Sequence, residues 1–129
     1  MAFYLERQGT TSTPYVLIYE ETNYMRISGR SFHEGIIDFF KEINDWLENY
    51  LDGNFGEFTF DCDMTYFNSS TSKILLNMLL KMDECSVGDN KVTVNWITTD
   101  DNEIITECGE DFRDELENLS FNMIIEESS

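Results

Sequence analysis

Between Phe58 and Lys73 the hydrophobic period of the chain changes from two to that of a helix, which fixes a strand-to-helix turn near the middle of the sequence. Phe58, Phe60, Cys62 and Met64 alternate with Thr59, Asp61, Asp63 and Thr65. Alternation of this kind belongs to a strand with one buried face. Tyr66-Phe67-Asn68 follows, then four hydroxyl residues in a row, Ser69, Ser70, Thr71 and Ser72, and an apolar run begins at Ile74. Hydroxyls ahead of an apolar run mark a helix N-terminus. Free backbone N–H groups and the helix dipole favour negative charge there. A phosphate on one of these hydroxyls would be tolerated by the fold and would change the surface greatly. Capping alone explains one or two of the hydroxyls but not four in succession, so a regulated phosphorylation site stands beside the plain reading of a helix cap.

The flanking sequence supplies further elements. Phe3 to Arg7 reads as a short strand, Gln8 to Pro14 as a polar turn ending in the single proline, and Tyr15 to Glu20 as a β-branched and aromatic strand. Tyr24 to Ser28 alternates as its hairpin partner, closed by Gly29. Ser31 and Glu34 have capping-box spacing, with His33 in the cap, ahead of a stripe at Ile36, Phe39, Phe40, Ile43, Trp46, Leu47, Tyr50 and Leu51. Gly53 is the expected stop. The helix after the hydroxyl run, about Ser70 to Asp83, is broken only by Lys73, Asn77, Lys81 and Glu84 on one stripe, which predicts burial over most of its girth. Lys91 to Thr98 reads as a strand. Thr99 to Asn102 caps a helix whose apolar side carries Ile104, Ile105, Cys108, Phe112, Leu116 and Leu119 and which Gly109 weakens. Phe121 to Ile125 is a final short strand, and Glu126 to Ser129 a frayed acidic tail. The order β-β-β-α-β-α-β-α-β predicts an α/β fold. It is a single mixed β-sheet, its later strands mostly parallel, with about three helices packed on it in one domain spanning 1–129.

Charge narrows the partners. Eight basic against 26 acidic residues give a net charge of −18. Nucleic acid and anionic membrane surfaces would be repelled, which leaves protein partners, or acids serving solubility alone. No apolar run is long enough to span a membrane. The stretch MAFYLERQGTT lacks the apolar core of a signal peptide. Cys62, Cys85 and Cys108 are odd in number and far apart, so they read as reduced thiols, two of them in the core, and the expected location is cytoplasmic.

The sequence offers little catalytic chemistry. The single histidine, His33, sits in a cap position, the GxSxG elbow is absent, and there is no phosphate loop, dinucleotide fingerprint or Cys/His cluster. Asp61 and Asp63, with Glu57, share the polar side of one strand. That is a possible divalent-cation site, or simply the wet face of a half-covered sheet.

The run from Phe60 to Glu84, through Asp61, Tyr66, Phe67, Asn68, Ser69, Ser70, Thr71 and Lys73, resembles the signature of the SiaC family of bacterial regulatory phosphoproteins. Thr10 to Pro14, the Phe39-Phe40 and Trp46-Leu47-Glu48 segment, Val94-Asn95-Trp96, Asp100 to Glu103 and Gly109 to Phe112 are similar to other stretches of that family, so the resemblance covers nearly the whole chain. It implies a fold like the STAS domain of anti-sigma-factor antagonists, with no cofactor and no enzymatic activity. It also implies a switch: a cognate Ser/Thr kinase phosphorylates a hydroxyl at the start of the helix after a central strand, a PP2C-type phosphatase removes the phosphate, and the unmodified form binds a target. In this family the implied target is a diguanylate cyclase, in cyclic-di-GMP and biofilm control. By position the acceptor is Ser69, directly after Asn68, where the family can hold Thr. Ser70 is the rival, because STAS antagonists modify the second Ser of an acidic-Ser-Ser motif. Thr71 and Ser72 fall inside the first helical turn. The partner-facing set implied is Asp61, Asp63, Tyr66, Asn68, Ser69, Ser70, Thr71 and Lys73, and the phosphate is expected to expel the partner beside Asp61 and Asp63. A STAS-like antagonist of an anti-sigma factor, and a small metal-binding protein or enzyme built on Asp61, Asp63 and Ser69, are the alternative readings.

Overall fold

All the period-two stretches become strands of one six-stranded sheet in the computed structural model, which describes residues 2–128. The strands are β1 (Tyr4–Arg7), β2 (Tyr15–Tyr19), β3 (Tyr24–Ser31), β4 (Glu57–Phe67), β5 (Lys91–Thr99) and β6 (Ser120–Glu126), and they lie in the sheet in chain order. β1, β2 and β3 pair antiparallel, while β3 to β6 pair parallel. The helices are α1 (Ile36–Leu51), α2 (Ser69–Cys85) and α3 (Glu103–Asp114), one in each parallel crossover. Each crossover steps one strand in the same direction. Right-handed crossovers that all step one way put every helix on the same side of the sheet.

The buried side chains agree with that geometry. Val16 and Ile18, Met25 and Ile27, Phe58 to Met64 in alternation, and Val92, Val94 and Trp96 are all buried and in register with one another. They meet Phe40, Ile43 and Leu47 of α1, Leu75, Leu79 and Met82 of α2, and Ile105 and Phe112 of α3. The other sheet face has no helix. Its middle is a polar ladder: the Tyr24 hydroxyl donates to Asp61 Oδ2 (2.6 Å), Asn95 Nδ2 to Asp61 Oδ1 (2.8 Å), Asn122 Nδ2 to Asn95 Oδ1 (3.1 Å) and Arg26 Nη2 to Asp63 Oδ2 (2.8 Å). Parallel sheets are normally covered on both faces. Here paired polar side chains replace the second layer.

Six expectations are corrected. β3 does not end at Ser28: Gly29 turns through positive φ (+99°), the register with β4 slips between Gly29 and Arg30, and the strand runs on to Ser31. Ser31 is therefore a buried strand residue and not a capping-box residue. The N-cap of α1 is Gly35 with no side-chain cap, and His33 Nδ1 accepts the Gly35 N–H (2.9 Å) in the turn before it. α2 is less enclosed than its composition predicts, since Leu80 is exposed. α3 stops at Asp114, Ile104 points to solvent at 75% exposure, and Leu116 and Leu119 belong to the connection beyond. That connection is held by Asp83 at the end of α2, whose buried carboxylate accepts the N–H groups of Glu117 (3.1 Å), Asn118 (2.6 Å) and Leu119 (2.9 Å). Of the three thiols only Cys62 is in the core, with Cys85 and Cys108 half-buried. In the tail, Glu126 completes β6 and the Ser128 N–H donates to Asp100 Oδ1 (3.1 Å); Ser129 lies outside the described residues.

Gly109 has a packing reason. A Cβ there would stand 2.4 Å from the Trp96 ring and 2.8 Å from Met123 Cε. Gly109→Ala should therefore destabilise the protein by about 1–3 kcal/mol despite the better helix propensity of alanine. Urea unfolding of the two proteins measures the difference, and an equally or more stable variant would show that Trp96 is free to move.

Candidate functional site

The four hydroxyls do not share one environment. Asn68 leaves β4 in extended backbone, and its Oδ1 accepts the Thr71 N–H (3.1 Å), so Asn68 and not a hydroxyl is the N-cap of α2. The Asn68 N–H in turn donates to the Ser31 carbonyl (3.1 Å), which seats the turn on the end of β3. Thr71 is fully buried. Its hydroxyl donates to the Ser31 carbonyl (3.1 Å) and lies 2.7 Å from the Ser31 hydroxyl, which is thereby the donor in that second contact. Thr71 is a structural bolt with no surface for a kinase. Ser72 is half-buried, while Ser69, Ser70 and Lys73 are exposed. The first turn of α2 carries no acidic residue. A charge added at Ser69 or Ser70 would meet the helix N-terminus without a competing carboxylate on that turn.

Ser69 opens onto a groove of about 310 Å³ between the starts of α2 and α3. One wall is Thr65, Tyr66, Phe67, Asn68, Ser69 and Ser72, the other Asn102, Ile104, Ile105 and Cys108. A second asparagine cap fixes the far wall. Asn102 Oδ1 accepts the Ile105 N–H (3.2 Å), and its Nδ2 donates to the Thr65 carbonyl (3.0 Å), tying α3 to the end of β4. No lining side chain carries a charge, on a chain of 26 acidic and eight basic residues. Three other cavities are each lined by charged residues: Glu48 and Lys81; Asp100, Glu103, Glu107 and Glu110; Glu57 and Lys91. The apolar rim is accessible, with Tyr66 at 46% and Ile104 at 75% exposure. Burial pushes the Cys108 thiol up from its ordinary pKa, and the nearby Asp111 carboxylate adds to this.

Of the residues singled out in the sequence, Tyr66, Asn68 and Ser69 are brought together at the groove, with Ser70 and Lys73 on the same helix end. Asp61 and Asp63 are set apart, on the open sheet face among Tyr24, Arg26 and Asn95. The partners they hold there are side chains of the protein itself, and the described residues contain no group of three or more potential metal ligands. Sequence reasoning missed Asn102, Ile104 and Cys108 as groove residues, because only the β5–α3 crossover brings them beside Ser69. It also missed Arg30. The Arg30 guanidinium lies 5.1 Å from the Phe32 ring centroid and 5.9 Å from that of Tyr66.

Comparison with known proteins gives a consistent match. A family model described as SiaC family regulatory phosphoprotein covers residues 7–126. A protein of Pseudomonas aeruginosa (strain UCBPP-PA14) described as uncharacterized is 27% identical over 107 residues, 83% of this chain and 85% of its own length. Apo-SiaC of Pseudomonas aeruginosa superposes with a TM-score of 0.80 at 27% identity, over 96% of this chain and 98% of the other. A chain from the complex of the diguanylate cyclase SiaD with its activator SiaC, also from Pseudomonas aeruginosa, gives a TM-score of 0.83 at 28% identity, over 96% and 99% of the two chains.

Two outcomes are expected at this site. Asn68→Ala should cost about 1 kcal/mol of stability by removing the cap, whereas Ser69→Ala should stay within about 0.5 kcal/mol of the parent, as urea unfolding will read. Because its pKa is raised, Cys108 should be more fully protonated at pH 8 than an ordinary thiol and react more slowly with iodoacetamide, gaining rate as the pH climbs further. Alkylation of Cys108 as fast as a free cysteine at pH 8 would contradict the groove's burial.

Proposed function

This chain belongs to the SiaC family of regulatory phosphoproteins, and we propose that it is a phosphorylation-controlled activator of a diguanylate cyclase, which it engages in its unmodified form through the groove between α2 and α3. It is a regulatory protein rather than an enzyme. The cyclase enters by way of the SiaD–SiaC complex, of which a chain matches this one at 28% identity. No helix among the described residues is long and apolar enough to cross a membrane, and the proposed place of action is the cytoplasm, with a cognate Ser/Thr kinase and a PP2C-type phosphatase acting on Ser69, or on its neighbour Ser70. The kinase forms a bond from the serine oxygen to the γ-phosphorus of a nucleoside triphosphate as the bond to the diphosphate breaks and the hydroxyl proton leaves. The phosphatase hydrolyses the phosphoester with water.

One observation carries this reading. The groove beside Ser69 is free of charged side chains although the chain is at −18. An apolar partner surface can be buried there without stranding a charge. A phosphate brings about −1.5 to −2 to the rim of that groove. The helix N-terminus and the N–H groups of its first turn stabilise the anion, so the fold survives while the docking surface becomes strongly hydrated. Exclusion then arises from the desolvation of the phosphate at the rim, with Asp61 and Asp63 on the other face of the sheet.

The test uses the diguanylate cyclase of the same host. Ser69→Asp should bind and activate it at least tenfold more weakly than the parent, with little change in melting temperature. Ile104→Asp, which places a charge on the opposite rim at a 75% exposed position, should do the same. Bound cyclase should protect Cys108 from alkylation. A Ser69→Asp protein that activates the cyclase as well as the parent would sink charge exclusion as the switch.

A further inference from the structure

Phosphorylation needs a receiver as well as a site, and the end of β3 offers one. We propose that Arg30 is the intramolecular receptor of the phosphate carried by the start of α2, leaving its aromatic stack to pair with it; the proposal rests on the phospho-switch reading above.

Arg30 sits opposite Tyr66 in the β3–β4 register, and its chain neighbour Ser31 holds the Asn68 N–H that begins α2. Tyr66 reaches both ways, its ring centroid 5.9 Å from the guanidinium carbon and its side chain lining the groove with Ser69. Phe32 and Tyr66 meet edge to face at 5.7 Å, and Arg30 lies over both rings. Arg7, Arg26 and Lys81 are each paired with a carboxylate: Glu42, Asp61 with Asp63, and Asp52. Arg30 has no such ion pair among the described residues and is exposed.

A cation–π contact occupies no carboxylate, so the N–H edge of the Arg30 guanidinium remains available to an anion. That edge is the part that grips a phosphate in a bidentate pair, a stronger attachment than an exposed cation–π contact. Before phosphorylation Arg30 therefore presents a cation and two aromatic rings beside the charge-free groove. Afterwards the guanidinium is drawn onto the phosphate and the rings lose their cover. The modification would thus alter the docking surface twice, by adding an anion and by relocating the one arginine at its edge. Lys73, one turn along α2 from Ser69 and also exposed, is the competing receiver.

The measurement is a ³¹P NMR titration of protein carrying phosphoserine installed by genetic-code expansion at position 69, and separately at 70, in the parent, Arg30→Gln, Arg30→Lys and Lys73→Gln backgrounds. A nearby guanidinium favours the dianion, so the second phosphate pKa should lie below that of the Arg30→Gln protein by about half a unit or more at one of the two positions, with Arg30→Lys between them. In the unmutated chain the Arg30 side-chain proton resonances should move downfield as the guanidinium leaves the ring faces, a readout that needs no substitution. Equal pKa values in the parent and Arg30→Gln proteins at both positions, or a depression removed only by Lys73→Gln, would overturn the proposal. The phosphate is installed without the host kinase, so the result does not depend on which hydroxyl that kinase uses. Absence of phosphate from protein isolated from its host would instead count against the switch itself.

Discussion

The buried pair of Ser31 and Thr71 is the contact on which the proposed switch surface depends. It joins the last residue of β3 to the first turn of α2, across the strand boundary where β3 and β4 lie parallel. The Ser31 carbonyl serves twice, accepting from the Thr71 hydroxyl and from the Asn68 N–H. Loss of such a buried polar pairing costs about 1–3 kcal/mol where one member is left unsatisfied. The consequence for function is positional. With Thr71 turned into the sheet, a helix of 3.6 residues per turn must turn Ser69 and Ser70 away from it. The bolt therefore selects which of the four hydroxyls face solvent. It also holds the first N–H groups of α2 in one place, ready for an anion.

This division of labour explains how far the site could be read from the sequence. The strand-to-helix turn, its polarity and its place before an apolar helix were legible in the change of period between Met64 and Ile74. So was the family resemblance, because the signature is contiguous in sequence. Which hydroxyl is buried was not legible, since it depends on Ser31, forty residues away in a different strand. Ser31 itself was misread as a helix cap, because Ser-x-x-Glu is equally consistent with a strand end when Gly29 lets the strand continue through positive φ. The groove was invisible for the same reason: Ile104 looks like a core position by spacing, and only the crossover geometry leaves it exposed beside Tyr66.

For the fold, the element order and the parallel second half followed from periodicity and crossover rules. The corrections fall where tertiary contacts override local pattern. Gly109 reads as a weak helix position but is where Trp96 packs against α3, its indole N–H donating to the Ile105 carbonyl (2.9 Å). Leu119 reads as a continuation of α3, yet Asp83 gathers three successive N–H groups and turns the chain back towards β6. A buried carboxylate at a helix C-terminus opposes the helix dipole. It is tolerated here because backbone donors from the neighbouring connection surround it.

The distribution of charge ties these points to the mechanism. A net charge of −18 spread evenly would make any further anion a small perturbation. The fold avoids that. Asp61 and Asp63 are consumed on the open sheet face by Tyr24, Asn95 and Arg26, and Glu103, Glu107 and Glu110 of α3 line a separate cavity. What remains between the two asparagine caps is the neutral groove, with Arg30 at the edge of its Tyr66 wall. Against that background one phosphate changes the local sign, hydration and shape together. High acidity elsewhere repels acidic surfaces at long range. In the proposed switch the neutral groove confines discrimination to short range, where a single phosphoryl group is large enough to decide it.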